Sequence, residues 1–77
     1  MAKLPRIPSI LIIKTLKRAG FYEHHTSGGH IQLRHQEKLH LRITIPFHRK
    51  DLNPKTLKSI IAQAELTVDD FIKLLKS

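Results

Sequence analysis

A chain of 77 residues without cysteine has room for one thin core, which packing alone must hold because disulfides and thiolate metal sites cannot form. The sequence carries 14 Lys+Arg against 6 Asp+Glu, a formal net charge of +8, and such an excess on a small domain is the electrostatic footprint of a polyanion-binding protein. A disulfide scaffold is excluded and a deep pocket is not expected, so any chemistry should lie on an open face or in a shallow groove.

The first predicted element is a helix over residues 9–19. Pro8 and Ser9 supply its start signal, and four residues recur along it at helical spacing: Ile10, Ile13, Leu16 and Lys17. Gly20 should end the helix, because a glycine just past a helix can adopt the left-handed conformation that satisfies the last carbonyls. The apolar run at residues 10–13 is too short for a secretory signal or a membrane span, so we expect a cytoplasmic protein without membrane contact.

The middle of the chain is predicted to form strands. Phe21 and Tyr22 begin a short extended segment that runs into a polar break at residues 26–29. Beyond this break the apolar period becomes two, which predicts two strands separated by a turn around residues 36–38. The side chains expected to face inward are Ile31 and Leu33 on the first of these strands and Leu39, Leu41, Ile43 and Ile45 on the second. Pro46 should end the second strand because it lacks the backbone donor that the ladder needs.

These two alternating strands should pair as a hairpin with one apolar face and one polar, basic face. The polar face is expected to carry His30, Gln32, Arg34, His40, Arg42 and Thr44. Positive charge is concentrated in the same part of the chain, since residues 1–50 contain ten basic and two acidic residues whereas residues 51–77 contain four of each. A localised basic surface favours nucleic acid as the partner, and the alternative is a surface kept for solubility or for an acidic protein.

Two helices are predicted to end the chain. The second helix begins after the N-cap residue Asn53 with Pro54 at its first position, and the third begins at Thr67 with acidic residues in its first turn. The residues expected to be buried along them are Leu57, Ile60, Ile61, Ala64, Val68, Phe71, Leu74 and Leu75. The predicted fold is α+β: one domain over residues 1–77, in which helices cover one face of a three-stranded antiparallel sheet in the order α-β-β-β-α-α.

Of the 6 histidines, His30 is the best placed for chemistry. It follows Gly28 and Gly29, where the unshielded backbone lets a phosphate approach closely, and it begins a strand that fixes its orientation. Alternation puts it on the same face as Arg34 and Arg42, which could stabilise charge developing on a phosphate. RNA cleavage needs a group that activates the ribose 2′-hydroxyl or protonates the leaving 5′-oxygen, and imidazole does both near neutral pH. Spacing alone favours the other interpretation, a solvated strand residue after a glycine turn.

Other kinds of site find less support in the residue pattern. The histidines between residues 24 and 40 have few carboxylates near them and form no helical His-x-x-x-His pair, so we expect no native metal site. Thr26 and Ser27 have no Asp in the same stretch to orient a histidine base, which argues against a serine hydrolase. A basic loop after the last strand contains three residues that could bind phosphate or form a solvated connection: His48, Arg49 and Lys50.

Five segments, in their order and spacing, resemble the HicA-type (YcfA-like) toxins, which are small mRNA interferases with a double-stranded-RNA-binding-domain-like fold. The segments are Leu-Lys-Arg-Ala-Gly-Phe at 16–21, Gly-Gly-His at 28–30, Ile-Thr-Ile-Pro-Phe-His at 43–48, Leu-Asn-Pro-Lys-Thr-Leu at 52–57, and the stretch at 60–71. The resemblance implies the toxin of a type II toxin-antitoxin system, with His30 as the catalytic residue. It also implies cleavage of mRNA without a metal or nucleotide cofactor, and silencing by a HicB-type antitoxin that covers the site.

Two departures from the family pattern concern loop geometry. Gly29 stands where many members have serine, and Glu65 replaces a glycine common between the two C-terminal helices, so Glu65 is expected in a left-handed conformation. With the resemblance, His30 becomes the favoured catalytic residue. The residues expected to bind RNA are Gly28, Gly29, Arg34, Arg42, His48, Arg49 and Lys50. The alternatives are a non-catalytic RNA-binding module with the same basic face and an interaction domain for an acidic protein.

Overall fold

The computed structural model describes residues 4–47 and 50–77. The elements follow the order α1 (Ser9–Arg18), β1 (Phe21–Ser27), β2 (His30–His35), β3 (Arg42–Pro46), α2 (Pro54–Gln63) and α3 (Val68–Lys76). The strands form one antiparallel sheet in the order β1-β2-β3. The predicted α+β fold and the order α-β-β-β-α-α are confirmed.

The core lies between the helices and one face of the sheet. Its fully buried members are Ile12 and Leu16 from α1, Leu33, Ile43 and Ile45 from the sheet, Leu57, Ile60 and Ile61 from α2, and Phe71 from α3. Full burial of each such side chain contributes about 1.5–3 kcal/mol. The strands contribute alternate residues to this core, which leaves the other face of the sheet in solvent.

Helix α1 is turned slightly from the prediction. It ends at Arg18, and Gly20 follows with a φ of 98°, which confirms the predicted glycine stop. Ile10, which was expected in the apolar stripe, is 55% exposed, whereas Ile12 is fully buried. The buried Ser9 accounts for the difference in part, because its Oγ donates to the carbonyl of Pro46 at 2.8 Å and so sets which face of the helix meets the sheet.

Strand β1 is longer than predicted, because the polar residues up to Ser27 pair with β2. The break shrinks to a turn at Gly28 and Gly29, whose φ values of 55° and 81° are both positive. A two-residue hairpin turn with positive φ at both central positions suits the right-handed twist of its strands and favours glycine. Between Glu23 and His25 the register shifts, so β1 contains a β-bulge.

Strand β3 begins later than predicted. It starts at Arg42, and Leu39, which was expected to face inward, is 72% exposed, so that part of the prediction was wrong. The connection is a turn in which Leu41 N–H donates to the carbonyl of Lys38 at 3.0 Å, and Leu41 alone returns to the core. Placing His40 on the hairpin face was also wrong, because it precedes the strand and its Nε2 lies 3.2 Å from the Glu65 carboxylate.

The last two helices begin where the capping residues predict. Asn53 accepts a hydrogen bond from Lys55 N–H at 2.8 Å, with Pro54 at the start of α2. Thr67 and Asp70 form a capping box at the start of α3. Of the apolar residues predicted to be buried on α3, only Phe71 is fully so, and Val68, Leu74 and Leu75 are half-buried at the rim of this small core.

Two side chains secure the ends of other elements. Arg18 donates to the carbonyl of Leu74 at 2.7 Å, so a cation from α1 meets the negative C-terminal end of α3. Gln63 accepts a hydrogen bond at its Oε1 from Thr44 N–H at 3.4 Å, which occupies a donor on the outer edge of β3. Glu65 has a φ of 58°, which confirms its predicted left-handed conformation.

Candidate nucleic-acid interface

The sheet face opposite the helices, called the open face below, consists of three rows of cross-strand neighbours. Residues paired across neighbouring strands project to the same side of a sheet, so the register gives the members of each row. The row at the glycine turn is Ser27, His30 and Pro46, the middle row is His25, Gln32 and Thr44, and the far row is Tyr22, Arg34 and Arg42. None of these residues is acidic, and the face is therefore cationic through its arginines.

His30 occupies an accessible and well-anchored position. It is exposed, and it is the first residue of β2 directly after the turn. The turn is fixed to the end of β3 because Phe47 N–H donates to the carbonyl of Gly29 at 2.7 Å. A Cβ placed at Gly28 or Gly29 would meet no atom within 4 Å, so open space surrounds the backbone beside the imidazole. A phosphate has room to approach His30 from this side.

Arg34 and Arg42 face each other across β2 and β3. Like charges directly opposite each other destabilise a sheet, so this pair lowers the stability of the sheet unless an anion lies between the two guanidinium groups. Together with Gln32 and Thr44, they line a shallow open depression. Arg34 lies four residues along β2 from His30, a separation of about 13 Å at the rise of a strand. The structure thus brings the predicted histidine and arginines to one face but places them at its two ends.

The predicted basic loop is described only in part. His48 and Arg49 lie outside the described residues. Lys50 is exposed in the bend that leads toward α2. It follows the end of β3 in the sequence, and no contact among the described residues joins it to the open face.

His35 has a structural role instead of a chemical one. Its Nδ1 accepts hydrogen bonds from the N–H groups of Glu37 and Lys38, both at 3.0 Å, which leaves Nε2 to donate to the carbonyl of Ala19 at 2.9 Å. Its ring meets the ring of Phe21 edge-on, with centroids 4.9 Å apart. In residues 4–47 and 50–77, no group of three or more His, Cys, Asp or Glu side chains is arranged to hold a metal ion.

Sequence reasoning missed the contribution of β1 to the open face. Tyr22, His25 and Ser27 share the face with His30 and the arginines, because the strand continues to the glycine turn and contains the bulge. Alternation from Tyr22 without a bulge would instead select residues 24 and 26. The sequence has no glycine at the bulge, so no local signal marks it. The polar composition of residues 23–27 suits an edge strand, and this was the available sign that pairing extends that far.

Comparison with known proteins gives one family. A family model described as the HicA toxin of bacterial toxin-antitoxin systems matches residues 12–66. This range runs from α1 through the whole sheet and α2, and it contains every row of the open face. No curated protein gives a significant match. Among the helices of the described residues, none has the length and apolar character needed to cross a membrane.

Proposed function

Because this chain belongs to the HicA toxin family of bacterial toxin-antitoxin systems, its role is that of a toxin, and we propose that it is a metal-independent endoribonuclease that cleaves mRNA. The observation that carries this proposal is the position of His30. An exposed imidazole at the rigid start of a strand, beside an open glycine turn and on a cationic face, has what proton transfer at a ribose-phosphate requires.

In the proposed reaction His30 acts as general acid or base. The ribose 2′-oxygen loses its proton and bonds to phosphorus, while the bond from phosphorus to the 5′-oxygen breaks and that oxygen gains a proton. The products are a 2′,3′-cyclic phosphate and a 5′-hydroxyl end, and the reaction consumes no cofactor. His30 supplies one of the two proton transfers, which is worth roughly 10²–10⁴-fold in rate.

The arginines take a binding role in this proposal. Their distance from His30 suits contact with a different phosphate of the same RNA strand, so Arg34 and Arg42 would hold the strand along β2 while His30 acts at its other end. The backbone at Gly28 and Gly29 would admit the reacting phosphate. Lys50, together with His48 and Arg49 of the same basic segment, would add phosphate contacts after β3 in the sequence.

A toxin of this family implies an antitoxin partner. We propose a HicB-type antitoxin that covers the open face, since a protein seated there would exclude RNA from His30 and from the arginines together. The proposed substrate, mRNA, places this activity in the cytoplasm. A partner with an acidic surface would complement the open face, because the charged residues among the nine that define this face are two arginines.

The proposal is tested by incubating the purified chain with mRNA in EDTA and following the cleavage products. We expect cleavage by the natural chain and a loss of at least about 100-fold in the rate with His30→Ala. His40→Ala is the matched control, because His40 lies off the open face beside Glu65 and its loss should leave the rate unchanged. Undiminished cleavage by His30→Ala would refute the assignment.

A non-catalytic RNA-binding module is the second candidate, and the separation of the arginine pair from His30 favours it. Arg34, Arg42 and Tyr22 form a row that can bind a phosphate and stack a base without any histidine. Under this alternative, the natural chain and His30→Ala bind RNA equally well and neither cleaves it at any pH. Growth arrest on expression that His30→Ala relieves would decide for the enzyme.

A further inference from the structure

The β-bulge in β1 changes which residues of that strand reach the open face. Tyr22 pairs with Arg34 and Ser27 pairs with His30, so six residues of β1 match five of β2. Because side chains alternate with a period of two, residues five apart would face opposite sides of an unbroken strand. The extra residue at the register shift, His24, restores the match. Bulges re-aim side chains in this way and are over-represented next to active sites.

As a result His25 lies on the same face as His30. It pairs with Gln32, two residues along β2 from His30, so the two histidines are diagonal neighbours across β1 and β2. Diagonal neighbours have Cα atoms about 7–8 Å apart, with their Cβ atoms closer. Both side chains are exposed. At this backbone spacing, one phosphate group can contact both side chains.

Few charged groups surround His25 on the open face. Within residues 4–47 and 50–77, β1 pairs with β2 alone, and the other titratable or charged groups on their open face are Tyr22, His30 and Arg34. Arg42 is one strand further away. The nearest carboxylate in sequence, Glu23, pairs with the inward-facing Leu33 and lies 3.4 Å from Lys17. On the described part of this face, no carboxylate lies beside the His25 imidazole.

We propose that His25 is the second catalytic residue, paired with His30 on opposite sides of the reacting phosphate. The inference rests on the proposed ribonuclease function and deepens it. In-line cleavage puts the entering 2′-oxygen and the leaving 5′-oxygen on opposite sides of phosphorus, so one imidazole cannot serve both oxygens in the same step. One histidine accepts the 2′-hydroxyl proton as the bond to phosphorus forms, and the other, protonated, donates to the 5′-oxygen as its bond breaks. Water then resets both rings.

The first test is the pH dependence of kcat/KM for a short RNA. The natural chain should give a bell-shaped profile, because one imidazole must be neutral and the other protonated. His25→Ala should lower the maximum at least about 100-fold and abolish one limb of the bell. His24→Ala is the matched control, since the same change at the unpaired bulge residue should leave the profile as it was. The proposal would be overturned if His25→Ala kept the bell-shaped profile and the maximal kcat/KM of the natural chain. It would also be overturned if His24→Ala lost them instead.

A second test separates catalysis from binding and from folding. Affinity for a non-cleavable RNA with a 2′-O-methyl group at the cleavage site should be unchanged in His25→Ala, as should the thermal melt. An affinity loss that matched the rate loss would overturn the proposal in favour of a binding role. An RNA with sulfur in place of the leaving 5′-oxygen needs no proton donor, so one of the two variants, His25→Ala or His30→Ala, should regain its rate on it. If neither variant did, the proposal would be wrong.

The two proposals fail in different ways. If the natural chain leaves RNA intact at every pH, the ribonuclease function itself is wrong. If the natural chain cleaves and His30→Ala does not, while His25→Ala behaves as the natural chain does, the function stands and only the second histidine is wrong.

Discussion

His35 and Gly20 form a contact that fixes the end of α1 against β2. The ring of His35 reaches the carbonyl of Ala19, and in doing so it fills the space beside Gly20. A Cβ at Gly20 would lie 2.8 Å from His35 Nε2, closer than real Cβ contacts permit. Two features therefore require glycine at position 20: the left-handed backbone conformation and the His35 ring packed against it.

We predict that Gly20→Ala lowers the free energy of unfolding by about 1–3 kcal/mol, because backbone strain adds to displacement of the His35 ring. The measurement is urea unfolding followed by circular dichroism. Gly28→Ala is the control, since its φ of 55° is also left-handed but nothing lies within 4 Å of its new Cβ. The Gly28 variant should lose about 1 kcal/mol. Equal losses in the two variants would show that the His35 contact contributes nothing.

Helix α3 depends on its first turn. Asp70 N–H donates to Thr67 Oγ1 at 3.0 Å, and Thr67 N–H donates to the Asp70 carboxylate at 3.2 Å. The hydrogen bonds from the Thr67 backbone and side chain lower the pKa of Asp70 below its usual value. Desolvation opposes them, and the charge of Lys73 adds a smaller lowering. With Phe71 as its single fully buried residue, α3 relies on this cap more than the other helices do.

The lowered pKa predicts the pH dependence of this cap. A carboxylate whose pKa is lower in the folded chain stabilises it above the unfolded pKa, and the contribution disappears as pH falls through the folded value. Asp70→Asn should therefore reduce the free energy of unfolding at pH 7, and the difference from the natural chain should shrink below about pH 4. Unfolding curves at both pH values measure this. Asp69→Asn leaves the cap intact, and a loss as large as that of Asp70→Asn would contradict the assignment.

For the whole molecule, the division of charge between two faces matters most. The helices bury the apolar face of the sheet, while the nine described residues of the open face include arginines and histidines and no carboxylate. A polyanion is therefore directed to one side of the protein. The arginines alone are permanently charged there, so binding should depend on them at every pH.

This arrangement predicts the salt dependence of RNA binding. The double variant Arg34→Ala/Arg42→Ala should weaken binding at low salt at least about tenfold and reduce the slope of log affinity against log salt by about 1–1.5, as expected for two lost contacts to single-stranded phosphate. Lys73→Ala/Lys76→Ala removes the same charge from exposed positions on α3 and should change the slope little. Similar slopes in the two double variants would mean that only net charge matters.

Local signals in the sequence predicted the parts of this fold that depend on local chemistry. Gly20, the Asn53-Pro54 pair and Thr67 mark helix ends because capping and backbone conformation are properties of a few adjacent residues. Alternation predicted β2 because it too is a property of adjacent residues. His30, Arg34 and Arg42 were therefore correctly expected to share a face.

The remaining features depend on contacts between distant residues. Leu39 and His40 continue the alternating pattern of β3, yet the pairing with β2 ends at Arg42. His40 instead contacts Glu65, a residue distant from it in the sequence. Alternation cannot show where pairing stops. The bulge in β1 is a mismatch in length between two strands, and so it becomes visible only when both are aligned. It decides that His25 joins the open face.

The same bulge also bears on how this chain behaves at high concentration. A straight outer strand offers a regular row of unpaired backbone donors and acceptors onto which another molecule can add, and this is a common route to aggregation. The irregularity at His24 interrupts that row on β1, and the Gln63 side chain occupies the Thr44 donor on β3. Each edge of the sheet thus carries a feature that hinders edge-to-edge pairing with another molecule. Deletion of His24 would straighten β1 and remove one of these features.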